Sequence, residues 1–205
     1  MILTNVRKEG DSMTIDKIKQ AAVLHFSQKG YEGASLADIA ADAGIKKQSL
    51  YTYFQSKDQL FLHTIDDVVK AEIQFIDSSL KNNSDSSGEE ILYALLGNFR
   101  NKFHTANETR FLLRICFFPP EHLHSSVMEK SYLYLDSFES KLSAFMAQRL
   151  EKPQAAEEAA IAFLSVFDAA MLELLYGGEK RFERRVAALW PFYLHGLHAL
   201  GGTLK

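Results

Sequence analysis

Between Lys46 and Lys57 the chain sets Lys46, Lys47, Gln48, Ser49, Tyr51, Thr52, Tyr53 and Lys57 within a dozen residues. These are cations, an amide, phenols and hydroxyls, with almost no aliphatic bulk. Lysines meet phosphates, phenols and hydroxyls donate to phosphate oxygens, and an amide can pair with adenine. The chemistry this predicts is contact with a nucleic-acid groove. A solvated charged face is the plainer reading of such a run, and the elements that hold these side chains decide between the two.

Those elements are legible. Ser35 precedes Leu36, Ile39, Ala40 and Ala43 at helical spacing, with Asp38 three residues on, the pattern of a capping box on a short helix. Gly44 follows, where a sharp turn needs positive φ, and Ile45 plugs the turn. A second helix over about residues 47–53 puts Leu50 and Phe54 four apart on its inner side, which turns the polar set outward. Upstream, Ile15, Ile18, Ala22 and Phe26 form a stripe that starts at Thr14 and closes at Gly30, and Tyr31 is expected to pack beneath it. Three helices with a glycine turn between the last two make a helix-turn-helix reading head.

The register Ile18, Ala21, Ala22, Phe26, Gly30, Tyr31, Ser35, Leu36, Asp38, Ile39, Ala40, Ala43, Gly44, Ile45, Leu50, Tyr51, Tyr53, Phe54, Ser56, Lys57 and Leu60 resembles the DNA-binding domain of TetR-family transcriptional regulators. The match covers about the first third of the chain. Two positions depart from the pattern. Lys46 stands where the family often has a capping Ser or Thr, which weakens a cap by roughly 1 kcal/mol and adds a cation facing DNA. Gln48 stands where a small residue or Pro is common, and brings an amide able to pair with adenine. The resemblance implies roles by position. Lys57 meets a phosphate at the start of its helix. Tyr51 and Tyr53 contact phosphate or a thymine methyl, unless one of them packs in the core of the head. Lys47, Gln48 and Ser49 face base edges, with Lys46 and Thr52 beside them, and Ser35 can add a phosphate contact to its cap role.

Beyond the head, Ser56 caps a helix whose Phe61, Ile65, Val69, Ile73, Ile76 and Leu80 continue a stripe at spacings of three and four. A flexible connection is expected at residues 81–88, the most loop-like stretch of the chain. Helices then read over 89–105, 108–118, from 123 or 126 to 150, 155–176 and 182–200, with Pro119 and Pro120 and the Gly177–Gly178 and Gly201–Gly202 pairs as stops. Pro191 predicts a kink near Ala187. The expected fold is all-α, about nine helices in three parts: an N-terminal tail (1–13), the head (14–57), and a helical ligand-binding and dimerisation body (58–205).

Composition narrows the class. Apolar residues make up 47%, enough for a core, and one cysteine excludes an internal disulfide and suits a cytoplasmic setting. No signal peptide and no uninterrupted membrane span are read, since Asp168 and Glu173 break the run at 159–176. The net charge of −3 does not advertise a DNA binder. Up to Leu60 there are eight bases and seven acids, so a local cluster at Lys46, Lys47 and Lys57 must supply the attraction.

Resemblance to the family implies an effector cavity in the body and a dimer. An aromatic-rich wall suits an apolar or flat ligand. The candidates are Asn98, Phe99, Phe103, Arg114, Phe117, Phe138, Phe163, Phe167 and Met171, with Glu173 and His195 as further polar guesses. The helix at 155–176 is apolar nearly all round, which requires cover on nearly all sides. Either neighbouring helices or a second copy could supply it, and the family favours a four-helix interface. Ala159, Phe163, Val166, Leu174, Trp190, Tyr193 and Leu197 are the expected contacts. The pairs His122/His124 and His195/His198 lack partners at zinc spacing, and Cys116 reads as a buried thiol, so no metal or cofactor is expected. No phosphate loop or nucleophile elbow suggests an enzyme. The expectation is a homodimeric repressor on a palindromic operator, released by a small apolar or aromatic effector. The alternative is a partner-binding coactivator that keeps the fold without DNA binding.

Overall fold

The computed structural model describes residues 2–81 and 86–205, with residues 2–10 described by backbone alone. Among these residues the chain folds as α1 (Ile2–Gly33), α2 (Leu36–Asp42), α3 (Lys47–Leu50), α4 (Lys57–Lys81), α5 (Gly88–Thr105), α6 (Asn107–Phe117), α7 (His124–Ala147), α8 (Ala156–Tyr176) and α9 (Glu179–Gly201). The fold is all-α. One isolated antiparallel pair, Leu150 with Leu204, ties the C-terminal residues to the end of α7.

Two expected boundaries change. The tail expected over 1–13 is helical from Ile2, because no proline interrupts it and each residue added to a nucleated helix closes another hydrogen bond. The regular course of α1 breaks at Gly30, at φ 70° and ψ −179°, where its end was expected. The connection expected over 81–88 is trimmed at both ends. Lys81 still belongs to α4, while Ser87 and Glu90 close a full capping box on α5, and residues 82–85 lie outside those described.

Head and body share one hydrophobic core. Phe26 of α1, Phe61 of α4 and Phe111 of α6 are each at most 1% exposed and meet with ring centroids 4.8, 5.5 and 6.0 Å apart. Through them α4 belongs to both halves, with Leu60 and Phe61 under the head and Val68, Val69, Ile76 and Leu80 under the body. Glu72 interrupts that apolar stripe. It is fully buried, and its Oε1 accepts from Lys102 Nζ at 2.8 Å and Thr109 Oγ1 at 2.9 Å, so α4, α5 and α6 are joined by a paired charge.

The body shows where the residues of both interior expectations lie. Phe99, Phe138 and Phe167 pack on one another at 4.8 to 5.9 Å and, with Phe163 and Met171, are at most 2% exposed. These five side chains fill the core because rings at this spacing leave no room between them. Phe103 and Phe117 are half-buried against it, Arg114 reaches Gly30 of the head, and exposed Asn98 lines a groove of about 520 Å³ between α5 and α9. Six of the seven residues expected at a subunit interface are buried within the single chain: Ala159, Phe163, Val166 and Leu174 of α8, which packs on α5, α7 and α9, and Tyr193 and Leu197 of α9, which packs on α8. Trp190 alone stays half-buried, tilted against Tyr93 at 5.2 Å. What α8 and α9 leave outward is another set: Ile161, Leu172, Tyr176, Phe192 and Leu200.

The stretch Pro153–Tyr176 is long and apolar enough to cross a membrane, yet more than half of its most apolar part is buried inside the body, as for a core helix. Helix α9 continues through Pro191 to Gly201. The α8–α9 turn is clamped by Glu173, whose carboxylate accepts from Arg181 Nε at 2.6 Å and from Arg185. Those bonds hold its carboxyl down to about 2.

Two outcomes follow. Phe138→Ala should cost about 3–5 kcal/mol in urea unfolding, because the packed rings cannot collapse onto the vacated space. Glu173 contributes stability that is fully present above its ordinary value of 4.5 and lost as pH falls through about 2. Glu173→Gln should therefore lower the melting midpoint at pH 7, and its difference from wild type should shrink between pH 4.5 and pH 2.

Candidate nucleic-acid interface

The turn between α2 and α3 is built by backbone geometry. Ser35 Oγ accepts from the Ala37 N–H at 3.1 Å and starts α2. The reciprocal half of the expected capping box is absent: the short Asp38 side chain turns to Lys29 Nζ at 3.4 Å, where a longer Glu or Gln would reach back. At the other end Gly44 takes φ 73°. Its N–H reaches the Ala41 carbonyl at 3.0 Å, and the Ile45 N–H reaches Ala40 at 2.9 Å. This left-handed cap satisfies two orphan carbonyls and places half-buried Ile45 on the core. Nothing lies within 4 Å of a Cβ added at Gly44, so the dihedral alone demands glycine there.

Helix α3 is shorter than the span of 47–53 expected for it, and the chain continues through turn bonds from Thr52 to Ser49 and from Tyr53 to Leu50. Leu50 at 0% and Phe54 at 4% exposure pin this segment to the head. The opposite side is open. Lys46, Lys47, Gln48, Tyr51 and Thr52 are exposed, and Ser49 is half-buried. Lys46 occupies the N-cap position with no side-chain bond to the helix. No acidic side chain among the described residues pairs with Lys46 or Lys47.

Of the two phenols, Tyr51 points outward at 46% exposure, whereas Tyr53 packs on the core and its hydroxyl lies 3.3 Å from Asp11. The Thr52 hydroxyl donates to the Ser49 carbonyl at 2.7 Å. Lys57 is set apart from the α3 cluster. Its ammonium stands 4.3 Å over the Tyr31 ring and 3.5 Å from the Glu32 carbonyl.

Sequence patterns missed the surroundings of Lys57. The Tyr31 hydroxyl donates to Asp58, and the Tyr31 ring meets Phe61 and His122, both at 5.0 Å between centroids. His122 Nε2 lies 3.5 Å from Asp58. The Tyr31 bond, and then His122, hold the Asp58 carboxyl below its ordinary range, while burial and then Asp58 push the Tyr31 phenol up. These contacts join residues up to 91 positions apart, and no local spacing signals them. The other histidines do not converge: His195 Nδ1 lies 2.7 Å from the Pro191 carbonyl and His198 Nε2 lies 2.6 Å from Glu89. Cys116, expected to be buried, is half-buried against the core, and desolvation pushes its thiol up to about 11.

A glycine-capped helix-turn-helix with an open polar face, seated on a helical body, defines the class of helix-turn-helix proteins. Residues 18–64 match the family described as bacterial regulatory proteins, tetR family. The icaADBC biofilm-operon negative transcriptional regulator IcaR of Staphylococcus epidermidis is 36% identical over 84 residues, which are 41% of this chain and 44% of that protein. The chain thus spans less than half the length of the curated relatives it matches. Solved structures extend the likeness to the whole fold. A TetR transcriptional regulator from Chloroflexus aurantiacus aligns over 97% of this chain and 100% of its own at TM-score 0.75 and 17% identity. FadR from Bacillus subtilis, in complex with stearoyl-CoA, aligns over 91% and 97% at TM-score 0.61 and 16% identity. Residues 18–64 thus carry the likeness to the tetR family, and the whole chain is similar in fold to solved TetR-family regulators.

The vacant cap gives a direct check. Lys46→Ser should supply the missing side-chain bond and raise the stability of the protein by up to about 1 kcal/mol in urea unfolding.

Proposed function

We propose that this protein is a transcriptional repressor that binds a palindromic operator as a homodimer and is released by a small effector. The carrying observation is the α3 face: Leu50 and Phe54 lock the segment from within while Lys46, Lys47, Gln48 and Tyr51 stand exposed. In this reading Lys47, Gln48 and Ser49 meet base edges, and Lys46, Tyr51 and Lys57 meet phosphates. Thr52 and Tyr53, each already bonded within the head, and Ser35, engaged as a cap, take part as neighbours of those contacts. That IcaR is a negative regulator supports repression.

A second copy is the natural cover for the outward face of α8 and α9, where Ile161, Tyr176, Phe192 and Leu200 are 44 to 80% exposed. One head makes too few contacts for specific affinity, and two on half-sites about 34–36 Å apart supply the rest. FadR, similar in fold, holds stearoyl-CoA, which supports an effector site in the body. Here the aromatic core is filled, so an effector must part those rings or enter from the groove of about 660 Å³ that Tyr93, Trp190, Pro191 and Leu194 line between α5 and α9. A regulator of this kind works in the cytoplasm, where its operator is.

Selection of genomic fragments by the purified protein, followed by footprinting, tests the reading. A two-fold symmetric footprint is expected, with affinity falling steeply as salt rises. Binding that ignores salt would favour the coactivator alternative. Lys47→Ala should weaken binding on all sequences, whereas Gln48→Ala should relax the preference at one position of each half-site by about 1–3 kcal/mol.

A further inference from the structure

The surroundings of Lys57 support a step beyond that reading, and rest on its assignment of Lys57 to a phosphate. The Lys57 ammonium makes no salt bridge among the described residues, although its charge acts on the adjacent Asp58 carboxyl, and the group it stands over is the Tyr31 ring, at 4.3 Å. That ring is fixed from several sides. Gly30, at φ 70°, breaks α1 just before it and leaves room for the Arg114 guanidinium of α6, which would lie 3.3 Å from a Cβ there. The Tyr31 hydroxyl is bonded to Asp58, the residue after Lys57. Its ring packs against His122, on the short turn Glu121–Leu123 that joins α6 to α7. One aromatic side chain therefore touches the lysine that meets DNA and the turn of the body nearest the head.

We infer that Tyr31 is a positioning residue, whose ring holds the Lys57 ammonium for the DNA backbone and is itself set from the body by His122. A displacement of the α6–α7 turn moves the ring, and with it one phosphate contact per head. The α6–α7 turn is thereby a point at which the body adjusts DNA affinity, separate from the distance between the two heads.

The test is the salt dependence of binding to the selected duplex, for wild type and variants of the full chain. This slope counts phosphates neutralised, and a fraction of inactive protein does not alter it. Lys57→Ala should lower the slope by about one per protomer. Tyr31→Leu should lower it by the same amount, the double variant should lower it no further, and Tyr31→Phe, which keeps the ring, should restore the wild-type value. His122→Ala should lower the slope in the wild-type background and have no effect once Tyr31 is Leu. Additive losses from Lys57 and Tyr31, or a wild-type slope in Tyr31→Leu, overturn the inference, and an inert His122→Ala overturns its link to the body. If Lys57→Ala keeps the wild-type slope, the inference falls while DNA binding stands. If wild type shows no salt-dependent binding at all, the proposed function falls with it.

Discussion

The molecule depends on the contact of Phe26, Phe61 and Phe111. Each ring comes from a different helix, and none is more than 1% exposed. Burying three such side chains contributes on the order of 1.5–3 kcal/mol apiece, a large share of the stability of an ordinary domain. Separating the head from the body would expose them all. The head therefore cannot swivel freely on a hinge at residue 57, although its sequence reads as a separate unit there. It moves with the start of α4 and with α6. In the proposed function, a change in the body would reach the α3 face as a tilt of that welded group, or through contacts at its edge.

Within the weld, the reading face is precarious. Helix α3 has a single turn, far below the length at which a helix is stable alone. Its geometry is imposed from both ends, by the left-handed cap at Gly44 before it and by the burial of Leu50 and Phe54 beneath it. Those constraints act over a few residues, so the sequence displays them. The same holds for Ser87 with Glu90, and for the stripe of α4. Local rules also failed locally: residues 2–12 carry no apolar period and include Gly10, so a helix with no stripe looks like a tail, though no proline in it stops the extension of α1.

What stayed hidden is of a different kind. Periodicity says that a side chain is buried and is silent about what buries it. Ala159, Phe163 and Leu174 satisfied the pattern for a subunit interface, and the helices of their own chain cover them. Phe99, Phe138 and Phe167 satisfied the pattern for a cavity wall, and they fill the space themselves. The Tyr31, Asp58 and His122 contacts need three distant segments to meet, and residue spacing holds no trace of that meeting.

Net charge misleads for a related reason. A total of −3 argues against a polyanion as partner. The acids of the head, however, are largely spoken for within the fold. Asp38 lies beside Lys29, Asp42 beside His25, Asp58 beside Tyr31 and His122, and Asp11 beside the Tyr53 hydroxyl. Among the described residues, Lys46 and Lys47 are left without carboxylate partners at the open edge of α3. The field a nearby duplex meets is set by what remains unpaired within about one Debye length, roughly 8 Å at physiological salt. At that range the unpaired lysines outweigh the total, and a protein acidic overall carries a locally basic face.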